Sequence, residues 1–514
     1  MLDNLRILDS IFAALGIYLI SAILWSKHCP ANGSLPPGPK RLPLIGNVLD
    51  MPTSKEWLTF EQWGKQWGGV VSVVLMGQPL VILNSAKAAI DLLEKRSAIY
   101  SDRPTVVMGG EIVGWNRTLV LTRYGDRFRE FRRYMFRLMG GNAQVKDHHH
   151  LIHVETHRFL QRLLHTPEAV AAHIRKTAGS IILMMSHGYT VQEEEDPIVN
   201  LVDVATEQFS EATRPGAFLV DVLPVLRYVP SWFPGAGFQK IAVSWSKTAN
   251  DMADIPHDFV KQQMRMGTDI SNYTSRLLDT DKLTSDKEFN IKWSAASLYA
   301  GGADTTVSAI YSFFLAMTLY PEVQRKAQEE IDIVVGNDRL PTFEDRGNLP
   351  YVEALVKEVF RFKPVAPLGV PHRLMQDDEY DGYYLPKGTL LIANIWRMLK
   401  DPEVYKNPFD FDPTRFIASE NKPSECDPRD ICFGFGRRVC PGLSLANASV
   451  YLSCVMTLAV YNVTKCVEDG KIIEPVDEST DGTISHPKPF KCSIVPRSSK
   501  AEALIRSISG PDRT

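Results

Sequence analysis

The sequence contains little cysteine and almost no net charge, and each shortage excludes a class of protein. Its seven cysteines among 514 residues are an odd number and form no C-x-x-C pair, so neither a disulfide-bonded scaffold nor a zinc ribbon fits. Lysine and arginine number 57 against 60 aspartate and glutamate, a net charge of −3. This balance gives no general reason for nucleic acid to bind, and we expect no nucleic-acid partner.

Repeats and low-complexity tracts are also absent from the sequence, and 44% of the residues are hydrophobic. This composition excludes collagen and extended disorder. The length alone leaves the number of domains open. Six of the seven cysteines fall after residue 425, and a thiol used for chemistry would stay reduced on the cytosolic side of a membrane.

One apolar run near the amino terminus is almost long enough to cross a membrane. Residues 11–25 read IFAALGIYLISAILW. A spanning helix needs about 20 apolar residues, whereas a cleaved signal peptide has a shorter run behind a basic start. We predict an uncleaved transmembrane anchor over residues 7–26, with a cleaved signal or an interfacial helix as alternatives. The basic residues that follow, Lys27, Lys40 and Arg41, place the main body in the cytoplasm.

The remainder divides into a proline-rich hinge and linker at 27–50, a main domain at 51–500 and a tail at 501–514. Prolines fix φ and remove backbone donors, so Pro-Pro-Gly-Pro at 36–39 favours a stiff, extended spacer. Most apolar periodicities between 120 and 363 are helical. We predict a mainly α fold with small β-sheets, preceded by one N-terminal transmembrane helix.

Local signals place several elements of the main domain. Aromatic residues at helical spacing predict a helix over 55–67, followed by two strands around a turn at 77–79. Ser85 is an N-cap residue for the next helix. Pro321 and Pro350 each predict the first turn of a helix, because proline is favoured there.

The apolar segment 291–320 predicts one helix of about 45 Å at 1.5 Å per residue, interrupted by Gly301 and Gly302. Glycines inside a helix cost about 1 kcal/mol each relative to alanine, so we expect another group to approach the backbone closely there. A second membrane span is the competing interpretation. The charges of Lys292 and Asp304 argue against it.

The strongest chemical signal is the segment FGFGRRVCPG at residues 433–442. Its glycines let backbone N–H groups approach the sulfur of Cys440, Arg438 adds positive charge, and an apolar helix begins at Leu443. All three features favour thiolate over thiol. A structural loop with a buried cysteine is the alternative, but F-x-x-G-x-R-x-C-x-G arises by chance on the order of once in ten thousand chains of this length.

This segment resembles the haem-binding loop of the haem-thiolate monooxygenases, the cytochromes P-450, and the likeness extends over nearly the whole chain. The motif order and the hinge look most like fungal microsomal members of secondary metabolism. The resemblance implies haem b as cofactor, with Cys440 as the axial ligand of its iron and Phe433 in the same binding loop. It also implies O2 and NADPH as cosubstrates. A thiolate ligand favours cleavage of the O–O bond.

Glu358 and Arg361 form an E-x-x-R pair, which alone is a weak signal because four similar spacings occur elsewhere and surface ion pairs explain such spacings. This pair differs in lying upstream of Cys440 with Pro-Thr-Arg-Phe at 413–416 in between. By resemblance, Glu358, Arg361 and Arg415 form a buried network that holds the haem-binding core together. Their implied role is structural rather than catalytic.

The segment Gly-Gly-Ala-Asp-Thr-Thr at 301–306 is similar to the family's oxygen-activation motif. A hydroxyl and a neighbouring carboxylate can pass protons to a reacting group. The resemblance implies that Thr305 orients the reduced oxygen species and that Asp304 supplies protons from solvent. A helix-packing patch with a capped kink is the alternative interpretation.

Haem propionates need cations, and charge-assisted hydrogen bonds explain why. By resemblance, Arg132, His372 and Arg438 are the propionate partners, although surface charge would also explain Arg132 and His372 taken singly. Many relatives carry tryptophan where Phe128 stands. Because phenylalanine donates no N–H, one propionate bond is in doubt.

The partners follow from the same resemblance and from a basic stretch. Six arginines between 123 and 137 favour docking of an acidic electron donor over a membrane-facing or nucleic-acid-binding patch. The chain has no convincing flavin or nicotinamide motif, so electrons must come from outside. The resemblance implies NADPH-cytochrome P-450 reductase as the donor, cytochrome b5 as a second donor, and a single-pass location in the endoplasmic reticulum membrane.

The substrate should be a lipophilic small molecule, because pockets for such substrates are apolar. By family position we expect the pocket walls at 106–120, 215–238, around Ala296 and Ala300, and at 365–370. Terpenoid, polyketide, indole and aromatic xenobiotic substrates all remain open. Two other functions stay as alternatives: isomerisation or dehydration of a peroxide without a reductase, and a non-catalytic haem-binding membrane protein.

Overall fold

The computed structural model of the protein describes Gly16 and residues 34–214, 216–420 and 422–507. The predicted anchor at 7–26, apart from Gly16, lies outside the described residues. The described part is mainly helical with small sheets, as predicted. The helices of eight or more residues are Glu56–Trp67, Asp126–Met139, His149–His165, Val170–His187, Pro197–Ala212, Gly237–Met266, Ser285–Ala303, Thr305–Leu319, Pro321–Val334, Pro350–Phe362, Leu443–Val460 and Ser499–Arg506.

The regular structure of this region also includes shorter α-helices, ten strands, and 3-10 and π-helical segments such as Ile90–Lys95 and Val107–Ile112. The short α-helices are Ala86–Ala89, Ser97–Tyr100, Asn142–Lys146, Leu219–Val222, Tyr273–Leu278, Ile395–Leu399 and Arg429–Cys432. The strands are β1 Val70–Leu75, β2 Gln78–Leu83, β3 His372–Arg373, β4 Asp378–Tyr380, β5 Tyr383–Leu385, β6 Leu390–Ala393, β7 Tyr461–Lys465, β8 Val467–Glu468, β9 Lys471–Ile472 and β10 Cys492–Pro496.

The largest sheet has four strands in the order β1-β2-β6-β3. β2 pairs antiparallel with β1 and parallel with β6. Met76 and Gly77 form the β1–β2 turn with φ of +49° and +88°, and a two-residue hairpin of this kind needs positive φ at both positions. The turn therefore lies before Gln78 and Pro79, which belong to β2. The predicted position at 77–79 began one residue late and ended two residues late.

Local signals for helix starts are confirmed. The hydroxyl of Ser85 accepts a hydrogen bond from the N–H of Ala88 at 3.5 Å. Pro321 and Pro350 are the first residues of their helices. The helix Glu56–Trp67 occupies nearly the predicted range.

The predicted long helix is present as two consecutive helices, Ser285–Ala303 and Thr305–Leu319, which break at Asp304. Both pack against the helix Val170–His187. A Cβ atom on Gly302 would lie 2.7 Å from Cδ1 of Ile182, which is the close approach that the sequence predicted.

The competing interpretation of this segment as a second membrane span is not supported. Every residue from Val307 to Thr318 is buried inside the domain. Among the described residues, the helix Leu443–Val460 is long and apolar enough to cross a membrane, but 72% of it is buried within the protein. Both segments are core helices.

The described parts of the predicted linker and tail lie against the main domain. Ser72 of β1 donates from its hydroxyl to the carbonyl of Pro36 at 2.5 Å and from its N–H to Pro37 at 2.9 Å. The helix Ser499–Arg506 crosses the expected boundary at 500 and packs against Leu443–Val460 and His149–His165. Residues 508–514 lie outside the described part of the chain.

Candidate active site

The loop that carries Cys440 is a tight turn between two helices. The N–H of Cys440 donates to the carbonyl of Phe433 at 2.8 Å, which closes the loop. Gly436 has a φ of +55°, and a Cβ atom there would lie 2.3 Å from the carbonyl oxygen of Leu93. Both conditions favour glycine. This residue therefore lets the loop pack closely against the π-helix Ile90–Lys95.

The surroundings of the Cys440 sulfur differ from the expectation in two ways. Burial raises the pKa of the Cys440 thiol, while a hydrogen bond from the backbone of Gly442 and the charge of Arg132 lower it. The protein alone therefore does not favour the thiolate form of Cys440, and the prediction from the sequence was wrong on this point. The cation that acts on the sulfur is Arg132 rather than Arg438. Arg132 also donates to the carbonyl of Val439 at 2.6 Å. A bound metal ion deprotonates a thiol that coordinates it, so the ion would supply what the protein lacks.

One cavity of about 360 Å³ joins the loop to the broken helix, because Cys440, Gly301 and Thr305 all line it. A Cβ atom on Gly301 would meet nothing within 4 Å, so this glycine leaves the cavity open beside the helix. Apolar side chains make up much of the wall, among them Leu119, Met135, Ile181, Ile310, Phe360 and Leu445.

Arg438 lines the cavity and is held rigidly by backbone carbonyls. It donates to Ser101 at 2.7 Å and to Thr122 at 2.8 Å. Its guanidinium lies 3.8 Å from the ring centroid of Phe128, which supports it through a cation–π contact. Burial lowers the pKa of Arg438 to about 10, so this side chain stays charged at neutral pH.

His372 and Arg103 line the same cavity. Nδ1 of His372 donates to the carbonyl of Tyr100 at 2.8 Å. Burial, with the charge of Arg103 adding to it, lowers the pKa of His372 well below its usual range. Arg103 donates to the carbonyls of Val370 and Pro371 at 2.7 and 2.8 Å. The sequence analysis missed Arg103, because a single arginine outside a motif carries no signal.

The charges around the cavity fit an anionic cofactor with large apolar faces. The arginines at 103, 132 and 438 line it, and among the described residues no aspartate or glutamate does. Buried cations normally have counter-charges. An anionic group in the cavity would complete these sites with charge-assisted hydrogen bonds. The two propionates of haem have this chemistry, and the apolar walls suit a porphyrin ring.

Thr305 and Asp304 face different neighbours at the helix break. Thr305 lines the cavity and donates from its hydroxyl to the carbonyl of Gly301 at 2.6 Å. Asp304 is not among the cavity-lining residues, and its Oδ2 accepts a hydrogen bond from Nε2 of His486 at 3.1 Å. The sequence analysis missed His486, because it lies 182 residues from Asp304 and outside any motif.

A family model for cytochrome P450 matches residues 36–494. The chain belongs to the cytochrome P450 family. It is 55% identical over 503 residues to cytochrome P450 monooxygenase 208 of Postia placenta, with 98% of each chain covered. It is 48% identical to cytochrome P450 monooxygenase claR of Ampulloclitocybe clavipes, covering 96% of this chain and 92% of the relative. With cytochrome P450 monooxygenase ppsD of Aspergillus oryzae the identity is 45%, over 92% and 91%.

The resemblance seen in the sequence is thus confirmed, and the chain is a member of the cytochrome P450 monooxygenases. Its relatives named above are fungal. Membership implies a haem cofactor, and the cavity beside Cys440 has the cations and the apolar surface to hold one. The family generally uses a redox partner and a small-molecule substrate.

In this cytochrome P450 the Glu358, Arg361 and Arg415 side chains meet in one buried network. Arg361 donates to both carboxylate oxygens of Glu358 at 2.7 Å, and Arg415 donates to Oε1 at 3.2 Å. The N–H of Asp412 donates to the same oxygen at 2.8 Å. All three charged side chains are 0–1% exposed.

The network also forms hydrogen bonds to the segment that follows the helix Ile395–Leu399. Arg361 donates to the carbonyls of Leu399, Pro408 and Asp410 at 2.6–3.0 Å. Arg415 donates to Glu425 at 2.8 Å. The network therefore connects the helix Pro350–Phe362 to the chain that leads into the cysteine loop.

The cavity walls agree with the sequence expectation in part. Trp115, Leu119 and residues around Ala300 and Val365 line the cavity, as expected. Within the described residues, no part of 216–238 does. The helix Pro197–Ala212 contributes instead, through Thr206 and Phe209. The sequence did not predict four other residues of the wall, Thr177, Ile182, Thr483 and Ile484.

Proposed function

We propose that the protein is a membrane-anchored monooxygenase that inserts one atom of O2 into a lipophilic small molecule. It uses haem b and takes electrons from NADPH through a reductase. The observation that carries this proposal is the shared cavity, which is lined by Cys440, by Gly301 and Thr305, and mainly by apolar side chains. Fungal secondary metabolism is the proposed setting, with a terpenoid, polyketide or indole substrate, because the relatives are fungal monooxygenases. Oxidation of aromatic xenobiotics is the alternative.

The residues divide into those that hold the cofactor and those that handle protons. Cys440 is the proposed axial ligand, in the loop closed by Phe433. Arg132, Arg438 and His372 are the proposed propionate partners. When bound, haem supplies the iron centre at which O2 is activated, and a thiolate ligand favours O–O cleavage. Thr305 presents a hydroxyl to this space, and Asp304 holds a carboxylate one residue away for proton supply.

Electrons would arrive at the exposed face of the helix Asp126–Met139. Four arginines of this helix are exposed, at 127, 129, 133 and 137, and so is Arg123 just before it. Arg132 is half-buried and reaches Val439 beside the cysteine. A basic face directly outside the cysteine loop suits an acidic donor. NADPH-cytochrome P450 reductase is the proposed partner, and cytochrome b5 is a second one.

Membrane association is supported by exposed apolar side chains in the segment 219–232. Leu219, Tyr228 and Trp232 are 62%, 72% and 66% exposed, and exposed apolar patches mark contact surfaces. Together with the predicted anchor at 7–26, these side chains support a single-pass location in the endoplasmic reticulum membrane with a cytosolic catalytic domain.

Reconstitution with purified reductase tests the proposed function. We expect NADPH oxidation that a lipophilic substrate stimulates and that yields an oxygenated product. Because charges at the rim of an interface steer association, the double variant Arg133→Glu, Arg137→Glu should raise the KM for reductase about tenfold at low salt. The matched control Lys326→Glu makes the same kind of charge change on another helix and should leave this KM unchanged. Peroxide isomerisation or haem binding without reductase-dependent turnover would contradict the proposal.

Replacing Thr305 by alanine should uncouple NADPH use from product formation. Because the variant removes a hydroxyl that lines the cavity, product per NADPH should fall about tenfold while released peroxide rises. Thr305→Ser keeps the hydroxyl and should retain most of the coupling. Product and peroxide assays in the same reaction measure both quantities. Unchanged coupling in Thr305→Ala would remove Thr305 from oxygen activation.

A further inference from the structure

Asp304 is separated from the cavity, and its carboxylate is held by one histidine. Nε2 of His486 donates to Oδ2 of Asp304 at 3.1 Å. Because a carboxylate only accepts hydrogen bonds, this ring nitrogen carries a proton. The Asp304 side chain is 13% exposed and that of His486 is 19% exposed. Both side chains are therefore partly accessible to solvent at the helix break.

The backbone around His486 is fixed at both ends. The N–H of His486 donates to the hydroxyl of Thr480 at 2.9 Å, and the N–H of Thr480 donates back to the carbonyl of His486 at 2.8 Å. Ser485 donates to the carbonyl of Val365 at 2.8 Å, and the hydroxyl of Ser308 donates to the carbonyl of Ser485 at 2.6 Å. These bonds fix the backbone on either side of His486 and join it to Ser308 in the helix Thr305–Leu319.

Charged groups on two other helices lie near the pair. Burial raises the pKa of Asp203 to about 6. Arg175 and His486 lower this pKa, whereas Asp304 and Glu207 raise it further. Nε of Arg175 lies 4.0 Å from Oδ2 of Asp203, and these side chains are 42% and 31% exposed. Asp203 is therefore close enough to act electrostatically on both Asp304 and His486.

We propose that His486 is a positioning residue for oxygen activation, which orients the Asp304 carboxylate and returns a proton to it after each transfer. The inference rests on the proposed monooxygenase function. The proton moves from Nε2 of the imidazolium to Oδ2 of the Asp304 carboxylate, which becomes neutral. The neutral imidazole then takes one proton from solvent water, so protons and charge balance over a cycle. Thr305 remains the hydroxyl that faces the cavity.

Three variants distinguish this role from a purely structural one, in which His486 only holds the 480–486 segment against the helix Thr305–Leu319. His486→Gln offers an amide N–H to Asp304 but carries no exchangeable charge, and His486→Phe removes the hydrogen bond as well. Asp304→Asn removes the carboxylate. His165→Gln, which changes an exposed histidine at the end of the helix His149–His165, is the matched control.

We expect His486→Gln to keep the CO-bound absorption spectrum and the substrate Kd of the wild type. Product per NADPH should fall about tenfold, and the solvent deuterium isotope effect on turnover should increase, because proton supply becomes limiting. In the Asp304→Asn background the same change should alter coupling less than about twofold, since both residues act in one step. His165→Gln should behave as wild type.

A readout that does not depend on turnover tests the pairing. In 13C-histidine NMR of the reduced, CO-bound protein, the signal lost in His486→Gln identifies His486, and it should shift in Asp304→Asn and stay in place in His165→Gln. An unmoved signal, additive effects in the double variant, or equal loss of substrate affinity in His486→Gln and His486→Phe would overturn the inference. Full coupling in His486→Gln would overturn only the role of His486. Absence of turnover in the wild type would overturn both that role and the proposed monooxygenase function.

Discussion

Replacing Cys440 by serine is expected to abolish both the thiolate-haem spectrum and monooxygenase turnover. The dithionite-reduced, CO-bound wild type should show a strongly red-shifted Soret band, because a thiolate ligand donates electron density to the iron. Serine keeps the shape of the loop and its N–H bond to Phe433, but its hydroxyl does not replace the sulfur ligand. Absorption spectra of the two proteins, together with haem content, measure the effect.

Cys432 provides a matched control for this experiment. It lines the same cavity but lies before the loop that the hydrogen bond from Cys440 to Phe433 closes, so Cys432→Ala should retain the red-shifted band. Survival of that band in Cys440→Ser would remove Cys440 as the ligand. A wild-type protein that is folded yet binds no haem would contradict the monooxygenase function altogether.

Replacing Glu358 by glutamine is expected to have the largest effect on stability. The carboxylate balances two buried guanidiniums, those of Arg361 and Arg415. Breaking a buried ion pair by removing one partner costs about 3–5 kcal/mol, because a charge is left buried without compensation. Since folded proteins are stable by only about 5–15 kcal/mol, we expect little haem-loaded Glu358→Gln protein at growth temperature.

The free energy of unfolding and the haem content test this expectation. Glu329→Gln is the control, because Glu329 pairs with Arg325 at 2.6 Å with both side chains more than half exposed, and such surface pairs contribute about 0–1 kcal/mol. If Glu358→Gln fails to fold, Glu425→Gln removes a less buried partner of Arg415 and should destabilise the protein by an intermediate amount. Equal stability of Glu358→Gln and wild type would contradict a structural role for the network.

The motifs read from the sequence are those whose chemistry depends on residues close together in the chain. The glycines around Cys440 and the Glu358–Arg361 pair at i, i+3 are local, so the sequence shows their geometry directly. The same holds for Ser85, Pro321 and Pro350, whose effects on helix starts act within one turn. The anchor at 7–26 remains a prediction that rests on its apolar length.

The charge state of Cys440 shows where local reasoning fails. Neighbouring glycines, a nearby arginine and a helix terminus all favour thiolate, yet burial of the whole loop raises the pKa of the thiol. Desolvation depends on how many atoms the complete fold places around a group. The sequence does not show this quantity, and the identity of the cation beside the sulfur, Arg132, likewise follows only from the packed helices.

The sequence by itself determined the family, the mainly helical fold and the candidate cysteine ligand, because each depends on patterns that span at most a few turns or on a motif read in order. Tertiary structure alone decided that His486 holds Asp304, that Arg103 joins the cations of the cavity, and that Phe209 forms part of its wall. These contacts join segments far apart in the chain. Their partners are chosen by how helices and loops pack, since distance in space and exclusion of water set the strength of a charge or a hydrogen bond.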